Sequence, residues 1–437
     1  MSIDTKYLSD WSGLRRGVPA EVLFPKSTQE VSDIVKECQL AKRPITIQGG
    51  LTGLTGGAVP ADGDTVINFE KMNRIEHIDT LEGIMIVEAG ATLIEVQEAA
   101  KQAGWFFPVD LGARGSCQIG GNAATNAGGE RVLKYGTVRD SILGLEVVLA
   151  DGSVLDSMTQ LVKNSSGLDL RYLFIGSEGT LGIITRLVLK LQPAPGPTTS
   201  ALLAIDDFDQ VPNALRQLKQ SLGSTLSAYE FMSKAFIDMT CSLIKAPVPF
   251  TPNPQWTILI EAEGSQHQDV QALVEQALQE LLELKIISNA IIAKNENDRL
   301  GFWKLRQSIP EIFSHLKPTI NFDVGLPLKH VSRCIQTLEH GLHQLNPKAS
   351  HLFFGHLGDN NVHLITGPHA IADRHAIEQF VYEELASYGG TISAEHGIGF
   401  IKKPFIELSR NAEQLKLIKQ LKQAMDPHNL LNPNRIV

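Results

Sequence analysis

Cysteine is scarce in this 437-residue chain: Cys38, Cys117, Cys241 and Cys334 lie far apart, with no CxxC pair. That spacing argues against a disulfide framework and a cysteine zinc site, and it fits a reducing compartment. Long apolar runs are missing too. None approaches the about 18–20 residues that a membrane-spanning helix needs. The opening MSIDTKYLSDWSGL has no basic-then-apolar signal. The expectation is a soluble, cytoplasmic protein, with peripheral membrane contact left open. Basic runs are absent and the net charge is −9, so nucleic acid is not an expected partner. There is no solenoid-period repeat, no low-complexity tract and no GxGxxG fingerprint, so NAD is not expected either.

What is present is ordinary globular material, 43% hydrophobic and 20% charged with a mean hydropathy of −0.02. The length suits two or three domains. Ser27 and Glu30 open a helix with Val31, Ile34, Val35 and Cys38 on its apolar face. Strands are expected at 44–47, 65–69 and 84–87, and a second helix from Thr92 to near Gly104. Asp151-Gly152 between apolar runs is a hairpin signal. A strand at 183–191 closes this half. The proline-rich break at 192–197 marks a domain boundary. Beyond it, strands at 201–205, 257–261 and 320–326 alternate with helices at 211–222, 269–284, 331–345 and 374–388, as in an α+β domain. A last helix, 411–425, ends at Asp426-Pro427.

The 37 glycines cluster in two loops. Residues 49–60, GGLTGLTGGAVP, follow a strand, but no helix pattern follows them. They suit a nest of main-chain N–H groups, with the Thr52 and Thr55 hydroxyls, around a diphosphate. Residues 115–129, GSCQIGGNAATNAGG, repeat that logic. Either loop alone could be a structural turn; the pair favours a large phosphate-bearing cofactor.

Ten of the thirteen histidines fall between His315 and His396. Within that stretch Gly355-His-Leu-Gly-Asp-Asn-Asn-Val-His363 lies between apolar runs and reads as a hairpin with its loop at 358–361. Leu357 then faces Val362 and His356 faces His363, with directly opposed Cβ atoms about 5 Å apart. Two neutral imidazoles with a carboxylate, for which Glu395 is a candidate, suit a zinc- or manganese-class ion. The bland alternative is a solvated sheet face.

Residues 45–60, 115–136, 176–185, 355–364, 393–399 and 426–434 together resemble the PCMH-type flavoproteins of the vanillyl-alcohol oxidase superfamily. Within them the resemblance is to the D-2-hydroxyacid dehydrogenase branch. It implies an α+β fold with a two-subdomain FAD domain (1–192), a cap with an antiparallel sheet (193–395) and a C-terminal segment returning to the FAD domain (396–437). The pyrophosphate falls to Gly49, Gly50, Leu51, Thr52, Gly53, Leu54 and Gly57. The isoalloxazine and ribityl region falls to Ser116, Gly120, Gly121, Asn122, Thr125 and Gly129. Glu178, Gly179 and Ile184 serve the adenine end, and Asn432 is a C-terminal flavin contact. Leu51 stands where covalent relatives carry histidine, so FAD is expected to bind non-covalently. The resemblance also assigns metal ligation to His356, His363 and Glu395, proton abstraction to His396 and the substrate carboxylate to Arg306. It further implies hydride transfer to flavin N5, with a quinone, a cytochrome or an electron-transfer flavoprotein as the expected electron acceptor.

Some positions depart from the hydroxyglutarate pattern. Pro310, Asn321 and Ile365 replace a threonine, a lysine and an asparagine. An unpartnered second carboxylate against isoleucine would be costly, so a D-lactate-like monocarboxylate is the expected substrate, with D-2-hydroxyglutarate as the alternative. Asn434 replaces a glycine, which asparagine can do in the left-handed region. A non-catalytic FAD-binding subunit and a metal-dependent hydrolase are the competing classes; a homodimer is left open.

Overall fold

The computed structural model describes residues 3–436. The chain divides into two compact units. The first holds the chain through Gly129, Gly136–Ala194 and everything from Glu395 onward; the second holds Glu130–Tyr135 and Pro195–Ala394. No helix among the described residues is long and apolar enough to cross a membrane.

Besides a short antiparallel pair, Trp105–Phe106 with Gln192–Pro193, the first unit has two larger sheets among the described residues. Strands Glu21–Leu23, Thr65–Asn68 and Ile45–Gln48 run parallel in that order, with the helix Thr28–Ala41 capped by the Ser27 hydroxyl. Five antiparallel strands form the other sheet, in the order Ile75–Asp79, Ile84–Glu88, Ile183–Lys190, Ile142–Val148 and Val154–Ser157. Thr92 and Glu95 close a capping box on the helix Leu93–Gln102. The C-terminal helix Ala412–Met425 leads to Leu431, which is fully buried and bridges Ile45. Burying such a leucine is worth about 1.5–3 kcal/mol, and it fastens the returning segment to this unit's core.

The second unit is built on seven antiparallel strands. Their order is Asn289–Ile292, Thr198–Ile205, Trp256–Glu263, Leu226–Ser233, Ser350–His356, Asn361–Gly367 and Ile320–Gly325. Side chains alternate between the two faces of a strand. One face buries Leu202, Met232, Leu259, Leu352, Phe354 and Ile365 together with Trp303, Leu305 and Ile312. Within the same unit the segment Glu130–Tyr135 is held by Glu263, which accepts hydrogen bonds from Arg131, Lys134 and Tyr135. Neighbouring Glu261 accepts from Ser200, Arg299 and Trp303.

The opposite face carries a histidine pair. His351 Nδ1 and His369 Nε2 both meet the Thr366 hydroxyl, at 2.8 Å each. Burial pushes His351 down to about 4, and the charges of His369 and His343 add to the shift. The unfolded imidazole titrates near 6.5, so unfolding takes up a proton between these values. The stability that neutral His351 contributes is therefore complete above pH 6.5 and is lost as pH falls towards 4. Urea midpoints should fall across that window, and His351→Gln should make the fall shallower; equal slopes would remove His351 from the account.

Candidate active site

In the first unit the two glycine loops lie against each other. A Cβ on Gly50 would sit 1.9 Å from the Ser116 carbonyl oxygen, so glycine is what lets the main chains touch. Gly49 packs on Gln118 and Gly121. The N-terminal segment supports the first loop, with Trp11 N–H donating to Leu51 O and Ser12 N–H to Gly53 O, both at 3.1 Å. Leu51 itself takes a left-handed φ of 58°. Gly53, Gly115, Ser116 and Gly121 are exposed, and Leu54, Thr52 and Gly57 half-exposed. Main-chain N–H groups of the first loop with the Thr52 and Ser116 hydroxyls are donor types that fit the diphosphate of FAD. Thr55 departs from expectation: it is buried, and its hydroxyl donates to the His396 carbonyl, so it ties two segments instead of facing a ligand.

The second loop also differs from its expected form. Residues Ile119–Thr125 are helical, with Gly120 and Asn122 buried and Thr125 donating to the Gly121 carbonyl. Asn122 Nδ2 reaches Cys117 Sγ. Gly129 has a φ of 116°, and its N–H donates to Glu395 Oε1 at 2.8 Å. Glu178 is buried and accepts from Ile398 N–H at 2.7 Å and Gly399 N–H at 2.8 Å. Burial pushes its carboxyl up, and these two donors pull it back. Asn432 spans Ile47 N–H and the Glu178 carbonyl, beside Gly179. Ile184 puts its side chain into the core. His396 and Glu395 are half-buried on the segment that these bonds hold.

In the second unit the hairpin forms with another register. Phe354, not His356, faces His363, and Leu357–Asp359 is a 3-10 turn. Gly355 has a φ of 148° and the turn is longer than two residues, which displaces the pairing. His356 is then diagonal to His363 on the same face, and their ring centroids are 5.2 Å apart. The strand on either side adds a carboxylate to the row, because Glu230 pairs with His356 and Asp323 with His363. His363 keeps 12% of its side chain exposed and lies 3.9 Å from Asp323.

Glu230 escaped the sequence reading. It is 1% exposed, accepts His356 Nδ1–H at 2.6 Å and accepts Arg306 Nε–H at 2.7 Å. Burial alone would raise its carboxyl, but His356 and the Arg306 guanidinium hold it below the usual range. The only signal was an acid inside an otherwise apolar strand. Arg306, on the helix Glu296–Gln307, is 5% exposed and stacks on Phe354 at 4.8 Å. His356, His363 and Glu395, the residue following the second unit's last, have the donor types of a metal site.

Comparison with known proteins follows this geometry. Residues 19–157 match the family described as FAD binding domain, and 194–436 match FAD linked oxidases, C-terminal domain. A probable mitochondrial D-2-hydroxyglutarate dehydrogenase of Oryza sativa subsp. indica is 38% identical over 434 residues, covering 98% of this chain and 77% of its own. A putative mitochondrial D-lactate dehydrogenase of Schizosaccharomyces pombe is 36% identical, covering 98% and 84%. A crystal structure of p-cresol methylhydroxylase with substrate bound shares the fold at a TM-score of 0.81 and 17% identity, covering 99% of this chain and 92% of that one. Fold and loops thus define an FAD-dependent oxidoreductase of the PCMH type. The chain belongs to the D-2-hydroxyacid/D-2-hydroxyglutarate dehydrogenase branch of the vanillyl-alcohol oxidase superfamily, whose substrates are 2-hydroxy acids.

The expected cytoplasmic location is overturned, because the rice protein and several other relatives are mitochondrial. The four cysteines are buried free thiols.

Glu230→Gln leaves the buried Arg306 without a counter-charge, which should cost about 3–5 kcal/mol. Urea unfolding checks this, and adding Arg306→Met should recover part of the loss.

Proposed function

We propose that the protein oxidises a D-2-hydroxy acid to the 2-oxo acid, with D-2-hydroxyglutarate as first candidate. The carrying observation is the row of His356 and His363 with Arg306 at its edge, oriented through one buried carboxylate. Relatives named D-2-hydroxyglutarate dehydrogenase, 34–38% identical across nearly the whole chain, support the diacid.

In this reading residues 49–54 and 57 hold the FAD pyrophosphate non-covalently. Ser116, Gly120, Gly121, Asn122, Thr125 and Gly129 line the ring and ribityl chain, and Glu178, Gly179, Ile184 and Asn432 complete the site. Bound FAD supplies the hydride acceptor, and a zinc or manganese ion on His356, His363 and Glu395 supplies a polarising charge. The Arg306 guanidinium forks onto the C1 carboxylate and orients C2. His396 takes the hydroxyl proton on an imidazole nitrogen. An external acceptor, a quinone, cytochrome or electron-transfer flavoprotein, reoxidises the protein.

A monocarboxylate is the second reading. Ile365 is 1% exposed among apolar neighbours, and its register partner is Asn321, so this strand pair offers no cation to a second carboxylate.

Anaerobic bleaching of the flavin absorbance by a panel of D- and L-acids is the test. Rapid bleaching by D-2-hydroxyglutarate, lost with a chelator, is expected; bleaching by D-lactate alone selects the second reading, and bleaching by neither rejects both. Asn321→Lys should raise the preference for hydroxyglutarate over lactate about tenfold, at the low end of a charge-assisted bond's worth. An unmoved ratio of kcat/KM values would remove residue 321 from substrate selection.

A further inference from the structure

His356 Nδ1 faces a carboxylate oxygen of Glu230 at 2.6 Å. A carboxylate only accepts, so the ring proton is on Nδ1. The other nitrogen, Nε2, lies 3.5 Å from Arg306 Nη2. An arginine only donates, so Nε2 must present its lone pair to the guanidinium. That lone pair is also the one a metal ion would take, since Nδ1 is already spent on Glu230. The guanidinium has little room to withdraw: its Nε is fixed to the same Glu230 at 2.7 Å, its face covers Phe354 at 4.8 Å, and the residue is 5% exposed. Two cations therefore address one nitrogen.

Building on the metal assignment proposed above, we propose that Arg306 and the metal ion compete for His356 Nε2, and that the substrate carboxylate relieves the competition. With the ion on Nε2, the Arg306 Nη2–H loses its acceptor and turns its donors to an anion. A carboxylate beside both cations lowers their mutual repulsion, which is strong in a buried site. Metal and carboxylate then bind cooperatively, each tightening the other by the same factor. Glu230 is the positioning residue, because it fixes the ring's tautomer and the guanidinium together.

The test uses the FAD-loaded protein stripped of metal, titrated with zinc against an indicator dye. Glutarate and propionate serve as probes; lacking a 2-hydroxyl, they give up no hydride. Zinc should bind tighter with either acid present, within the about 5–150-fold range of such couplings. The acid should gain the same factor from zinc. Arg306→Met should bind zinc tighter than the wild type without any acid, and the acid's effect should collapse. Zinc affinity indifferent to the acids in the wild type overturns the proposal. So does an acid effect of undiminished size in Arg306→Met, which would trace the coupling to direct metal–carboxylate bonding. Should Arg306→Met not fold, Arg306→Gln takes its place in both comparisons, and zinc affinity indifferent to the acids in the wild type still overturns the proposal. A protein that binds no zinc or manganese under any condition rejects the metal assignment itself, and the competition with it.

Discussion

One buried carboxylate organises the chemistry of the second unit. Glu230 is 1% exposed, and removing it from water costs several kcal/mol. It is held there because two donors meet it at 2.6 and 2.7 Å, from His356 and Arg306. Those donors come from separate places, a strand end and the helix Glu296–Gln307. Glu230 can reach both because its strand, Leu226–Ser233, lies beside Ser350–His356 in the sheet. The sheet order thus does what no local motif could, placing an acid from the middle of the chain against an imidazole 126 residues later.

The first unit meets a different constraint, close approach of main chain to main chain. Gly50 against Ser116 tolerates no side chain, and Gly129 with a φ of 116° leaves its N–H on Glu395. The returning segment is fixed by polar bonds as well as by Leu431. Asn432 clamps Ile47 to Glu178, and Glu178 clamps Ile398 and Gly399. Several glycines and Asn432 that look like ligand contacts also carry structure, which is why a motif alone does not separate the two duties.

Legibility followed the range of the interactions. Helix N-caps, the Asp151-Gly152 hairpin and the long amphipathic helices depend on residues a few positions apart, and they stand in the structure within a few residues of where the pattern puts them, although at Ser27 the cap is one-way and Glu30 accepts from Lys26 N–H instead. The antiparallel sheet of the second half and the glycine loops were also legible. The helix Ile119–Thr125 was hidden by Gly120 and Gly121, which weaken any helix pattern. The hairpin register was missed because it turns on Gly355's left-handed φ and a 3-10 turn, which composition does not reveal. The face shared by His356 and His363 survived that error, since a diagonal neighbour keeps the same side of the sheet. Leu226–Ser233, and Glu230 with it, was missed because a strand buried on both faces lacks the alternation that betrays one.

In the proposed function, the length of the acid accepted would be decided by a smaller difference than the reaction. In the proposed reading, an arginine held by a buried acid would serve every 2-hydroxy acid, because all of them carry the C1 carboxylate. Selection among them needs a partner for the distal end, and specificity is a difference between two affinities. Phe354 and Ile365 are apolar, and they occupy the sheet face that Arg306 covers. Asn321, half-buried, is the polar member of its cross-strand pair with Ile365. A second carboxylate there would gain one neutral amide, whereas a short apolar tail would gain contact and leave no charge unpaired. On the proposed reading, the contest between chain-wide similarity to hydroxyglutarate enzymes and local chemistry would turn on one cross-strand pair, residues 321 and 365.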